Sequence, residues 1–166
     1  MLEAGQKNNH GTFYDAQVIG LALFVGANEL AKRFLQKMPQ RIAEQIDPDG
    51  RQPHELDRTL AWHYTVFNLQ ALFRVATFGE HLGIDLWHYA TRDGRSLRQA
   101  IDFTLPYVAG RPWDYQQITP QKFDVIFGLL CQAGGKYQDP KYLSTALKSP
   151  GVDHASHRAR LLLGIP

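Results

Sequence analysis

Apolar positions along the chain recur at intervals of three and four, and strand-like alternation is absent, so the pattern predicts helix after helix. Tyr14 to Ala27 is apolar almost throughout, as expected of a helix buried on most sides. If that helix begins near Gly11, Tyr14 sits one turn beyond His10 on the same face. Asn28 is expected to cap the next helix, with Leu30, Phe34 and Ile42 as its apolar positions and Pro39 kinking or splitting it. Asp47-Pro48-Asp49-Gly50 has the proline second and the glycine fourth, a type I turn pattern. After a loop to Pro53, a long helix is predicted from about Glu55 to His81. Its apolar stripe is Leu56, Leu60, Tyr64, Phe67, Ala71 and Val75.

Asp93-Gly94-Arg95-Ser96 opens a further helix through Ala109, with Leu97, Ile101 and Leu105 on one face and Pro106 as a kink. Pro112 to Ile118 reads as a loop carrying Trp113 and Tyr115. Thr119 is expected to cap a helix of Phe123, Ile126, Phe127 and Leu130 that ends near Gly134-Gly135. Short helical pieces over Pro140–Leu147 and Ala155–Leu163 complete the chain. The fold class is all-α, built from helix pairs joined by medium loops, and residues 1–166 read as a single domain.

Composition narrows this only slightly. The chain is 44% apolar and 20% charged, a globular balance. The longest apolar run, Val18 to Ala27, falls short of the roughly 18 residues a membrane span needs. Met1 to Asn9 is polar and carries no hydrophobic signal segment. The net charge of +2 does not argue for nucleic acid. Residues 1–83 hold 8 Lys and Arg against 9 Asp and Glu, so an anion bound there meets a few placed groups and not a broad positive field. The single Cys131 excludes an internal disulfide.

Three polar clusters stand out against this background. The first is Asn8-Asn9-His10 with Tyr14, where two amides and a histidine precede the first apolar segment. Asn, Gly and Thr are common helix-start residues, so a capping turn is the simplest account of it. The second is Glu55-Leu56-Asp57-Arg58, where a solvated helix-start arginine is the ordinary role. The third is Trp62-His63-Tyr64, followed by Asn68 and Gln70; there an aromatic on an apolar stripe is more often core, and a histidine more often surface.

Taken together, "NNHGTFYD", "RIAEQIDPDGRQPHELDRTLAWHYTVFNLQALFRVA" and "DLWHYATRDGRSLRQAIDFTLPYV" resemble the alginate lyase family of polysaccharide lyases. The likeness is closest to the polyuronate lyases with an α/α toroid fold and runs from about residue 8 to residue 109. It implies antiparallel helix pairs forming part of such a toroid, and β-elimination at a uronic acid in an acidic polysaccharide. In that reaction the C5 proton beside a carboxylate is removed and the O4 glycosidic oxygen leaves. The carboxylate must be neutralised for the enolate to form; a base must reach C5 and an acid O4.

Carried over by position, Asn9 and Arg58 are the neutralisers and His10 is the base or a second neutralising group. Tyr64 is the acid, and the base as well when both atoms lie on one face of the sugar. Tyr14 and His63 complete the expected substrate-binding set. No metal or other cofactor is implied. Arg58 and Tyr64 are six residues apart, about 240° around an ideal helix, so they converge only if Arg58 lies at or before its first turn. Members of this family are usually much longer, and this chain resembles their C-terminal half. Such a half is expected to expose apolar helix faces and to self-associate. The resemblance also implies a periplasmic or secreted protein.

Other readings compete. Seven histidines invite a metal site, but none has the HExxH pattern. A glycoside hydrolase needs two carboxylates at a cleft, for which Glu55, Asp57 and Asp15 are candidates. A non-catalytic carbohydrate-binding or structural helical fragment is the main alternative. For it, Trp62, Trp87, Trp113 and Tyr115 are either sugar-stacking platforms or core.

Overall fold

The structure, a computed structural model, describes residues 5–159. Every regular element among them is helical: α1 (Asn9–Phe24), α2 (Asn28–Leu35), α3 (Met38–Gln45), α4 (Pro53–Leu56), α5 (Ala61–Glu80), α6 (Leu97–Val108), α7 (Asp124–Tyr137) and α8 (Pro140–Ala146). The all-α expectation holds. No helix of the described residues is long and apolar enough to cross a membrane.

Helix α5 is the hub, with α1, α2, α4, α6 and α7 packed on it and α8 lying against α6 and α7. Its buried side chains include Trp62, Leu69, Leu72 and Phe73, which meet Ile19, Leu35, Ile42, Trp87, Ile101 and Leu130 in one apolar cluster. Helices α1 and α2 pair antiparallel: Tyr14 of α1 faces Phe34 of α2 although the two helices join at Ala27. Helices α1 and α5, by contrast, run in the same direction. Phe13 stacks on Phe67 at 4.2 Å near one end, and Gly20 lies against Phe78 towards the other. Their N-termini therefore share one end of the molecule.

Several boundaries differ from the sequence expectation, each for a local or a distant reason. Helix α1 starts at Asn9 because the Asn8 side chain accepts from the His10 backbone N–H. It is not buried on most sides: Leu21, Phe24 and Val25 are 67%, 88% and 70% exposed. Asn28 is the first residue of α2 and gives no side-chain cap. Pro39 sits in the first turn of α3, where its missing N–H costs nothing, so the predicted helix is split there.

The helix predicted from Glu55 to His81 is two helices. Between them the backbone of Thr59 and Leu60 is drawn out to pair with residues 116–118: Ile118 N donates to Thr59 O and Ala61 N to Gln116 O, both at 3.1 Å. The Gln117 side chain then accepts from Trp62 N at 3.1 Å, capping α5 from 55 residues away. The expected stripe is only half right, because α5 is apolar on nearly every side. Ala71 and Val75 are buried, but Tyr64 and Phe67 are half-buried while Trp62, Val66 and Leu69 take the core.

Ser96 caps α6 by accepting from Gln99 N, and Leu105 is half-buried while Ala100 and Thr104 are buried. Gly50 is the close approach that seats this helix. Its φ is +86°, and a Cβ there would meet the Gln99 carbonyl oxygen at 2.1 Å. Thr119 caps nothing; α7 begins at Asp124 and runs through Gly134-Gly135 to a left-handed Gln138. The predicted last helix, Ala155–Leu163, is described only as far as residue 159; the chain turns at 154–156 and becomes helical at Arg158, and residues 160–163 lie outside the described residues. Trp62 and Trp87 are core, at 1% and 2% exposed, so neither is a sugar platform.

Candidate active site

The shared N-terminal end of α1 and α5 gathers the three clusters. One turn back from the Phe13–Phe67 stack, His10 on α1 lies level with His63 and Tyr64 on α5. His10 is exposed, and its backbone N–H is held by Asn8 at 3.1 Å. Asn9 is buried and tied across the interface to Glu55 on α4. Its backbone N donates to Glu55 Oε1 at 2.6 Å and its Nδ2 to Glu55 Oε2 at 2.8 Å.

Arg58 lies in the turn between α4 and α5, its N–H donating to the Glu55 carbonyl at 3.2 Å. That turn removes the 240° separation. The Arg58 guanidinium folds over the Tyr64 ring, with Cζ 4.0 Å from the ring centre. Tyr64 is half-buried, and its hydroxyl has no hydrogen bond to another described residue. His63 packs edge-on to Tyr64 at 5.3 Å and stacks on Phe67 at 5.7 Å. It also borders a cavity of about 300 Å³ between α5 and the segment before α7. Tyr14 is not brought to this group; its ring turns to Phe34 and lines a different cavity with Lys37, Arg41 and Glu44.

Beneath the site lies a buried polar layer. Gln45 Oε1 accepts from Thr12 Oγ1 and from Asn68 Nδ2, both at 3.0 Å, and Asn68 Nδ2 also reaches Gln52 Oε1 at 2.8 Å. Gln45 Nε2 donates to the Asn8 carbonyl at 3.3 Å. Asp15 pairs with Arg41 at 2.5 Å. Burial pushes the Asp15 and Glu55 carboxyls above the ordinary range, outweighing Arg41 at the first and the Asn9 bonds and Arg58 at the second. The three carboxylates weighed for hydrolysis are thus separately placed: Asp15 on Arg41, Glu55 on Asn9, and Asp57 exposed. Among the described residues no cluster of three or more His, Cys, Asp or Glu side chains could hold a metal ion.

Comparison with known proteins shows the family. The family profile described as alginate lyase matches residues 2–113, which contain every group above. The chain belongs to the alginate lyase family. A crystal structure of an alginate lyase from Bacteroides ovatus superposes with a TM-score of 0.90 at 34% sequence identity. The match covers 99% of this chain and 44% of that one, so the chain spans less than half the length of that lyase. No curated protein matches the chain.

For a chain of the alginate lyase family, sequence reasoning missed two contributors. Glu55 reads in the sequence as a member of the Glu55-Leu56-Asp57-Arg58 cluster and as a candidate hydrolytic carboxylate, and its proximity to Asn9 has no local signal. Gln117, which fixes where α5 begins, sits in a segment that reads as plain loop.

Proposed function

We propose that the protein containing this chain is a polysaccharide lyase that cuts an acidic polyuronate by β-elimination, polymannuronate-type alginate first and glucuronan second. The observation that carries this reading is the convergence of Asn9, Arg58 and Tyr64 at one end of α1 and α5. In it, Asn9 and Arg58 neutralise the uronate carboxylate as charge builds on the enolate. His10 is the C5 base or a second neutralising group. Tyr64 donates a proton to O4, and takes the C5 proton as well where both lie on one sugar face. The free Tyr64 hydroxyl supports that role, since nothing else in the described protein engages it. His63 lines the substrate path. No cofactor is invoked.

The reading includes an (α/α) toroid, of which these helices form part, and a periplasmic or secreted location. Self-association is also part of it, supported by the exposed Leu21, Phe24 and Val25. The test is incubation of the full-length protein with polymannuronate and glucuronan. Ultraviolet absorbance from a new C4–C5 double bond is expected, undiminished by chelators. New reducing ends without that absorbance mean hydrolysis, and binding without cleavage means a non-catalytic module; either result ends the lyase reading.

A further inference from the structure

We propose that Glu55 is the positioning residue of this site, fixing the direction in which the Asn9 amide meets a substrate carboxylate. The inference rests on the lyase reading above and assigns Glu55 no contact with substrate.

Glu55 is 1% exposed, and its carboxylate spends both oxygens on one residue, Asn9. An ionised carboxylate only accepts, so the Asn9 side chain must present its NH2 edge to it. The flipped amide would set Oδ1 against a buried carboxylate oxygen, an unsatisfied and repulsive contact. One Nδ2 hydrogen is thereby used, and the other is held in a single direction instead of turning with the amide. The first bond acts on the backbone. Asn9 is the first helical residue of α1, so its N–H has no partner within the helix, and Glu55 supplies one. A carboxylate is also favoured at that positive helix end. Side chain and main chain of Asn9 are thus clamped by the same group.

Glu55 also reaches the second neutraliser. Its carbonyl accepts from Arg58 N, closing the turn that delivers the guanidinium to Tyr64. One residue on a one-turn helix therefore sets the spacing between Asn9 and Arg58. A two-sided clamp on a carboxylate depends on that spacing, since displacements near 1 Å cost on the order of a hundredfold in rate.

The experiment is a double-mutant cycle in the full-length protein on polymannuronate, read by unsaturated product. Glu55→Gln must offer an NH2 to Asn9 in place of one acceptor, so kcat is expected to fall roughly a hundredfold with KM near wild type. Asn9→Ala is expected to lose roughly 10²–10³-fold. The double variant should be no slower than Asn9→Ala alone, because a positioning residue has nothing left to position. A Glu55→Gln enzyme of wild-type kcat, or a double variant losing the product of the two single losses, overturns the inference and leaves the lyase reading intact. An inactive wild type ends both. A second readout needs neither turnover nor a folded variant: in the ¹⁵N-labelled wild type, one Asn9 side-chain amide proton should exchange slowly with solvent. Fast exchange of both protons overturns the clamp even if catalysis is normal.

Discussion

The guanidinium carbon of Arg58 lies 4.0 Å from the centre of the Tyr64 ring, although the two residues belong to different elements, a turn and a helix. A planar cation stacked on a phenol is held flat, with its N–H edges free to meet a carboxylate two-pronged. Arg58→Lys retains the charge but loses the stacking plane and the fork. Turnover on polyuronate is expected to drop at least tenfold, about 1.4 kcal/mol of transition-state binding, while the melting temperature barely changes. Wild-type turnover in the lysine variant would make Arg58 a surface cation.

Tyr64→Phe separates chemistry from packing. The Tyr64 hydroxyl has no hydrogen bond to a described residue, and the phenylalanine ring preserves the Arg58 platform. Unfolding free energy should therefore change by less than about 1 kcal/mol. Turnover should fall roughly 10²–10⁴-fold, the usual worth of a positioned acid or base. Urea denaturation and product absorbance on the same preparation check both halves; full activity would remove Tyr64 from the mechanism.

Gln117 holds the start of α5 through Trp62 N. Gln117→Ala is expected to cost about 1 kcal/mol, as for loss of a helix cap. Because Arg58 and Tyr64 flank that start, activity should fall by more than the stability loss explains. Equal activity at a temperature where the variant stays folded would show that the α5 terminus does not need this cap.

The pH dependence of stability should carry a contribution from Glu55. Burial raises its folded carboxyl above the value in the unfolded chain. Between the two values the folded state binds more protons, so this contribution is complete below the unfolded pKa and is lost as pH rises through the folded one. Urea unfolding of wild type and Glu55→Gln from mildly acidic to neutral pH should show the wild-type advantage shrinking as pH rises. An advantage that stays level or grows would contradict the buried-carboxylate assignment.

The helices themselves were legible in the chain, because spacing by threes and fours is a local property and α1, α5, α6 and α7 each contain enough apolar residues to display it. Asn9, His10, Arg58 and Tyr64 became candidates through the family resemblance alone, since residue by residue a capping turn, a solvated arginine and a core aromatic account for them. What residue order could not disclose is where distant backbone interrupts a local tendency. Leu56 to Ala61 reads as unbroken helix until residues 116–118 pair with Thr59 and Leu60, and that break is what lets Arg58 fold back over Tyr64. Nor could a largely apolar surface on α5 say which stripe goes inward; Trp62 is buried against Trp113 and Phe123 from the distant segment before α7, while Tyr64 stays half-buried under Arg58. The clamp of Glu55 on Asn9 spans 46 residues and follows from α1 and α5 running the same way. Periodicity reports what one helix can bury. Which N-termini meet, and which buried carboxylate finds which amide, is settled only when the helices pack.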